Sequence, residues 1–399
     1  MEKANIGNER IISYMIYGAL MVLALGLVTS TTILALFHIL MIVPIIYFLP
    51  KADYKHFPKS TWALIAMVVA MILSTVMNQD IAINGYKPIG KMKYFLFGFL
   101  TIAPFAYYFK NFCNEKKIGY LFYVFCVATT VAGIAGIVGM NTGYNYISMR
   151  TVNLDRNAGL SGMVLNYAHN LAYFQIIILG LIIYRKEIGK IINTRFLYFV
   201  FVMNSIALYL SYTRGAILAL VVGIPFFIFK NNKFKFLIIA LITILITAGA
   251  YFISGNNILR PGSDNERISQ WQAAIKAFEE RPVFGYGYLN FEQYSVPIKK
   301  RYNLGQLQFG GHAHNNFLEM LASTGIIGFI CYVGWLGLWF IEIYKRNDVV
   351  AKITLPFIVV FIVGGLTQST ISLGVNLFFI MAIYAISQAA HKKQEVLKL

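Results

Sequence analysis

The chain is 399 residues long, 58% hydrophobic and only 13% charged, with a mean hydropathy of +0.65. Soluble domains carry about 25% charged residues, and an aromatic content of 16% argues against disorder. A soluble multidomain enzyme and a disordered chain are both excluded. The net charge of +18 is what lysine- and arginine-rich cytoplasmic loops give a polytopic membrane protein, and it calls for no nucleic acid partner.

Taken in chain order, apolar runs of about 20 residues, the length that crosses a bilayer, begin near Ile11, Thr31, Trp62, Tyr94, Ile118 and Leu165. Further runs begin near Phe196, Gly215, Phe234, Phe317, Ile353 and Ile371. The expectation is an all-α polytopic membrane protein of about twelve transmembrane helices, residues 1–399 forming a single integral membrane domain. The first run is followed by no small-residue cleavage site and reads as a retained helix. Tyr212-Thr213-Arg214 separates one closely joined pair of spans, and Gln368-Ser369-Thr370 the other. One side, holding both termini and every second loop, carries most of the basic residues. Among these are Lys51, Lys55 and Lys59, Lys110, Lys116 and Lys117, Arg185 and Lys186, Lys345 and Arg346, and Lys392 and Lys393. The positive-inside rule makes that side, and both termini, cytoplasmic.

One long loop, about 254–316, lies on the outer side between spans nine and ten. Ser263-Asp264-Asn265-Glu266 reads as a capping box. Ile268, Trp271, Ile275 and Phe278 follow at helical spacing as an apolar stripe. Arg281-Pro282 ends that helix, and Gly285-Tyr286-Gly287 turns the chain. The predicted loop is therefore helical. Cys113, Cys126 and Cys331 show no metal-ligand spacing and imply neither a disulfide framework nor a zinc site.

None of the 16 carboxylates falls near the middle of a span. Ion-coupled transporters usually place acids or histidines there, so a transporter or lipid flippase is the weaker reading; of the histidines, only His38 and His169 lie well within spans. The outer side is chemically richer. Arg214 sits at the hairpin between spans seven and eight, Arg156 in the loop before span six, and Arg267 in the loop helix. His312 and His314 stand just before span ten. Guanidinium groups offer a planar fork of donors suited to a diphosphate, and a neutral histidine accepts a proton near pH 7. Together they suit transfer from a lipid diphosphate to a hydroxyl. Each residue also has a plainer account: headgroup anchoring for Arg214, stacking on Trp271 for Arg267, and a metal pair for His312 and His314.

His314-Asn315, followed after nine residues by Gly325-Ile326-Ile327-Gly328, resembles the signature of the O-antigen ligases. Arg214-Gly215-Ala216-Ile217-Leu218 is similar to the Arg-x3-Leu element of that family. Arg267 to Trp271 with Arg281 to Gly287 resembles its large periplasmic loop. The resemblance implies a GT-C-like membrane glycosyltransferase of the bacterial inner membrane with a periplasmic active site. It implies transfer of glycan from undecaprenyl diphosphate to a sugar hydroxyl of lipid A-core, inverting, with no metal, ATP or other cofactor. His314 would be the general base, and Arg214 and Arg267 would hold the donor diphosphate. Arg156, in a stretch that loosely resembles Arg-x-x-Gly, would assist them. His312, Asn315, Glu319 and Trp271 would support the site. Polysaccharide polymerases of the same superfamily and protein O-glycan transferases are the alternative enzymes.

Overall fold

The computed structural model describes residues 2–29, 31–152, 154–189, 192–230, 232, 235, 237, 261–372 and 374–390. The predicted ninth span from Phe234, the first residues of the long loop, and Lys392 and Lys393 lie outside them. The described residues are helical almost throughout. The first half of the chain contains α1 (Glu2–Thr29), α2 (Thr31–Phe48), α3 (Lys59–Met77), α4 (Lys93–Leu100), α5 (Ile102–Asn111), α6 (Glu115–Thr142) and α7 (Val164–Ile183). A two-residue hairpin, β1 (Tyr144–Asn145) with β2 (Arg150–Thr151), follows α6 and was not foreseen. The second half holds the single turn α8 (Arg185–Ile188), then α9 (Thr194–Tyr209), α10 (Arg214–Gly223) and α11 (Phe226–Phe229). After these come α12 (Pro261–Glu280), α13 (Phe291–Arg301), α14 (Asn316–Lys345), α15 (Val349–Gly365) and α16 (Gly374–Ala389).

Six of these helices, α1, α2, α3, α6, α7 and α14, are long and apolar enough to cross a membrane. Shorter apolar helices cover Thr194–Tyr209, Arg214–Phe229, Val349–Gly365 and Gly374–Ala389. This is a helical polytopic membrane protein. Many of its large apolar side chains face outward, with Ile39, Ile46 and Ile330 each about 60% exposed or more, as helices bathed in lipid require. The run from Tyr94 is broken at Thr101 between α4 and α5. Pro104 has no amide with which to bond the carbonyl of Leu100, so the ladder is interrupted there. The last helix begins at Gly374, not Ile371, because residues 366–372 form a turn held by side chains described below.

Helix α3 packs along α14, α1 along α2 and α6, and both α7 and α10 along α15. The core at one end is aromatic, with Trp335, Trp339 and Tyr384 fully buried and their rings in contact. Glu342 enters that core from α14 and is satisfied there. It accepts from the Ser60 amide (2.9 Å), the Ser60 hydroxyl (2.5 Å) and the Gln388 side-chain amide (3.0 Å). Its partners come from α3 and α16, so one half-buried side chain ties three helices together.

At the opposite end the chain interlocks through its backbone. Helix α14 is kinked at Gly325, whose φ of 64° is left-handed. The broken turn exposes carbonyls that the preceding loop fills. Tyr286 N donates to Ala322 O and Gly287 N to Ser323 O, both at 2.9 Å, while Ile326 N donates to Pro282 O at 2.8 Å. Ser74 of α3 adds its hydroxyl to the carbonyls of Phe284 and Ser323. Gly285 and Gly325 permit this approach. A Cβ on Gly285 would lie 2.5 Å from the Ser323 carbonyl carbon, and one on Gly325 would lie 2.3 Å from the Val283 oxygen. Gly325 thus forms a docking notch for the loop that carries α12 and α13, whereas a Cβ on Gly328 would meet only Thr324 of its own helix.

Candidate functional site

Three separate stretches of chain converge at this notched end. The first is the hairpin from α9 to α10. Its turn is tight enough that Tyr212 adopts a φ of 48°, in the left-handed region. Arg156 clamps it from the loop before α7: its Nε donates to Ser211 O at 2.8 Å and its Nη2 to Thr213 Oγ1 at 2.9 Å. Asn157 N adds a bond to Leu210 O at 2.9 Å. Arg214 then opens α10, and Gly215 beside it lets the helix start press against Thr367, which a Cβ would overlap at 2.1 Å.

The second stretch is α12. Pro261 and Gly262 are already helical, so the expected capping box at Ser263 and Glu266 is not the helix start. The face buried against protein is made mainly of small residues and leaves two isoleucines of the apolar stripe outside it. Ser269, Gln270, Ala273, Ala274 and Ala277 are buried, whereas Ile268 and Ile275 are 48% and 43% exposed. Small side chains allow α12 to approach α14 closely, and the larger isoleucines are left on the outer surface. Asp264 pairs with Arg214 through both guanidinium nitrogens, at 2.7 and 3.3 Å. Arg267 has no ion-pair partner among the described residues and does not stack on Trp271. Burial, then the neighbouring Arg214, pull its guanidinium below the ordinary value, with Asp264 and Glu266 acting in the opposite sense.

The third stretch leads into α14. Asn315 caps that helix, accepting from the amides of Phe317 (2.9 Å) and Leu318 (3.2 Å). Glu319, 1% exposed, reaches back to accept from Ala313 N at 2.7 Å and from Ser323 Oγ at 3.1 Å. Between these two anchors His314 is held at a φ of 50°. Strained backbone of this kind persists where its surroundings over-determine it, and here Asn315 N also donates to Ser369 Oγ (3.2 Å) and Asn316 Nδ2 to Thr370 Oγ1 (2.9 Å).

The same turn, between α15 and α16, supplies Gln368, which the sequence reading did not single out. Its Oε1 lies 2.6 Å from His314 Nδ1. An amide oxygen only accepts, so the proton sits on Nδ1 and the lone pair on Nε2. Burial, then the adjacent His312, lower the His314 pKa to about 4; Gln368 opposes this, while Arg267 and Lys299 act with it. His314 is therefore neutral at pH 7.

A cavity of about 160 Å³ lies where the stretches meet, lined by Arg156, Arg214, Arg267 and His314 together with Tyr212 and Glu266. The four residues expected at the centre of the site thus share one cavity. The other four do not line it. Asn315 and Glu319 fix the turn, and the His312 ring meets that of His314 edge-on at 4.3 Å. Trp271 keeps its indole N–H buried, with no hydrogen-bond partner among the described residues. Gln368 and Asp264 could not be found from spacing, because one lies 54 residues and the other 50 residues from the residue it contacts.

Comparison with known proteins bears on this region directly. Residues 199–333 match the O-antigen ligase family model, a segment that runs from α9 into α14 and contains Arg214, Arg267 and His314 but neither Arg156 nor Gln368. An uncharacterized protein of Haemophilus influenzae is 26% identical over 326 residues, which is 74% of this chain and 76% of that protein. The hairpin arginine, the loop-helix arginine and the histidine that precedes α14 all lie within the matched segment, and over it the chain is similar to the O-antigen ligase family.

Proposed function

We propose that this protein transfers glycan from undecaprenyl diphosphate to a sugar hydroxyl of lipid A-core, at the periplasmic face of the inner membrane and without a metal. The observation that carries the reading is the single cavity ringed by three guanidinium groups and one neutral imidazole. In the proposed step, His314 Nε2 takes the proton of the acceptor hydroxyl as that oxygen attacks the anomeric carbon. The bond from this carbon to the diphosphate oxygen breaks, and its electron pair leaves with the diphosphate. One displacement inverts the anomeric centre. Arg214 and Arg267 bind the diphosphate and stabilise the charge that grows on it. Arg156 adds its positive charge and holds the turn from which Arg214 springs. The imidazolium that forms is stabilised by the departing anion beside it and then releases its proton to solvent.

The test is incubation of purified protein with lipid-linked glycan and lipid A-core, read by gel. Arg214→Ala, Arg267→Ala and His314→Ala each abolish transfer while the protein still inserts. Arg214→Lys loses about a hundredfold, since a point charge replaces a planar fork. Transfer undiminished in any alanine variant overturns the proposal. Deletion in the host separates ligase from polymerase: loss of a ligase leaves lipid-linked polymer and bare core, whereas loss of a polymerase leaves core bearing one repeat unit.

A further inference from the structure

A second and much larger cavity, about 980 Å³, lies at the other end of the molecule between α1, α5, α6, α7, α15 and α16. The two cavities are well separated. Helix α7 gives Leu165 to the site cavity and Leu181 to this one, roughly 24 Å apart along a helix axis. The depths of the large cavity are apolar, walled by Leu23, Leu27, Phe125, Ile177 and Phe379. Its mouth is not. Lys110 at the end of α5 and Glu115 at the start of α6 both line it, both are exposed, and neither side chain makes an ion pair or hydrogen bond with another described residue. From Glu115 to Phe125 the cavity follows α6 for roughly 15 Å, which is half the hydrocarbon thickness of about 30 Å. It therefore has the depth of one leaflet.

We propose that this cavity is a binding site for a membrane phospholipid with a zwitterionic headgroup. Its acyl chains fill the apolar interior, its phosphate meets Lys110, and its ammonium meets Glu115. The paired opposite charges select this headgroup over a purely anionic one, for which Glu115 is repulsive. The site is independent of the glycan chemistry proposed above, because the donor diphosphate would bind at the far end of α7.

The full-length protein, purified in mild detergent from cells containing phosphatidylethanolamine and phosphatidylglycerol, is examined by native mass spectrometry with lipid extraction. Phosphatidylethanolamine is retained, and added phosphatidylglycerol displaces it poorly. Ala106→Trp fills the cavity and lowers retained lipid about tenfold or more. The double variant Lys110→Ala/Glu115→Gln, at exposed positions that leave packing intact, weakens retention several-fold and removes the preference between the two headgroups. Wild-type protein carrying no phospholipid, or a polyprenyl lipid in its place, overturns the proposal. So does an Ala106→Trp protein that elutes normally and keeps its lipid, or a double variant with unchanged headgroup preference.

Discussion

The bond from His314 to Gln368 has a consequence measurable by titration. A histidine acting as base must be neutral, and burial with neighbouring positive charge puts the His314 pKa at about 4 in the free protein. Because that value is depressed, the neutral form is retained as pH falls through the ordinary imidazole range and is lost only near pH 4. The acid limb of kcat/KM for glycan transfer is therefore expected below pH 5, not near 6.5. Gln368→Glu places a carboxylate against Nδ1–H, favours the imidazolium and moves that limb upward by about one unit or more. Gln368→Leu removes the acceptor that fixes the tautomer and lowers kcat by about ten- to hundredfold. A limb that stays at the same pH in Gln368→Glu would sink the assignment of His314 as the base. Asp264 poses the opposite question, since it occupies the guanidinium fork of Arg214 that the donor needs. The pair is partly exposed, with 30% and 42% of the two side chains accessible, and exposed pairs are worth about 1 kcal/mol or less. Asp264→Asn should accordingly tighten donor binding by a few-fold, up to about fivefold, measured as inhibition by a non-transferable undecaprenyl diphosphate analogue. At this scale the charged groups of the cavity were legible because arginine and histidine on the less basic side of a membrane protein are conspicuous. Their partners Gln368 and Asp264 were not, because an ordinary glutamine in a turn and an ordinary aspartate in a helix acquire meaning only from what they touch.

The elements obey the same division. Apolar runs announced most of the helices, and the two hairpins at 210–213 and 366–372 fell where polar turn residues interrupt them. The loop helix was found, with Ile268 and Ile275 in its apolar stripe, but periodicity could not say which way that stripe faces, because hydrophobicity does not distinguish a side chain facing protein from one facing outward. The close contact of α12 with α14 is made by alanines, whose low weight in any hydrophobic pattern conceals their role. The kink at Gly325 shows how a short motif can encode an interlock between two backbones. Gly325→Ala must place a Cβ at a positive φ and against the Val283 carbonyl, a cost of about 2 kcal/mol or more. The expected outcome is a thermal midpoint in detergent lowered by several degrees and a further loss of transfer, because the loop bearing Arg267 is released from α14. Gly334→Ala, on the same helix with open space around it, serves as the control and should leave both unchanged.

The whole molecule sets these pieces at a particular depth. Helices α15 and α16 contain 17 and 16 residues, so each spans roughly 25 Å against a hydrocarbon core of about 30 Å. The turn joining them is sunk below the level that full-length spans would reach, and Ser369 and Thr370 within it are fully buried. Irregular backbone is tolerated at that depth only where protein surrounds it, and here α14 and the hairpin before α10 do so. The proposed transfer requires Gln368, His314 and Arg214 to stand at the rim of the bilayer, where a diphosphate whose tail stays in lipid would present itself. The opposite end of the bundle carries Lys55 and Lys59 at the start of α3 and Lys345 and Arg346 at the end of α14. If basic residues mark the cytoplasmic side, the cavity must open to the periplasm. Replacing Cys113, Cys126 and Cys331 and introducing a single cysteine tests this directly. Ser263→Cys, beside the cavity, should react with a membrane-impermeant maleimide in intact spheroplasts, and Lys55→Cys only after the membrane is opened. Labelling of both from the same side would separate the charge bias from the topology and remove the basis for a periplasmic transfer site.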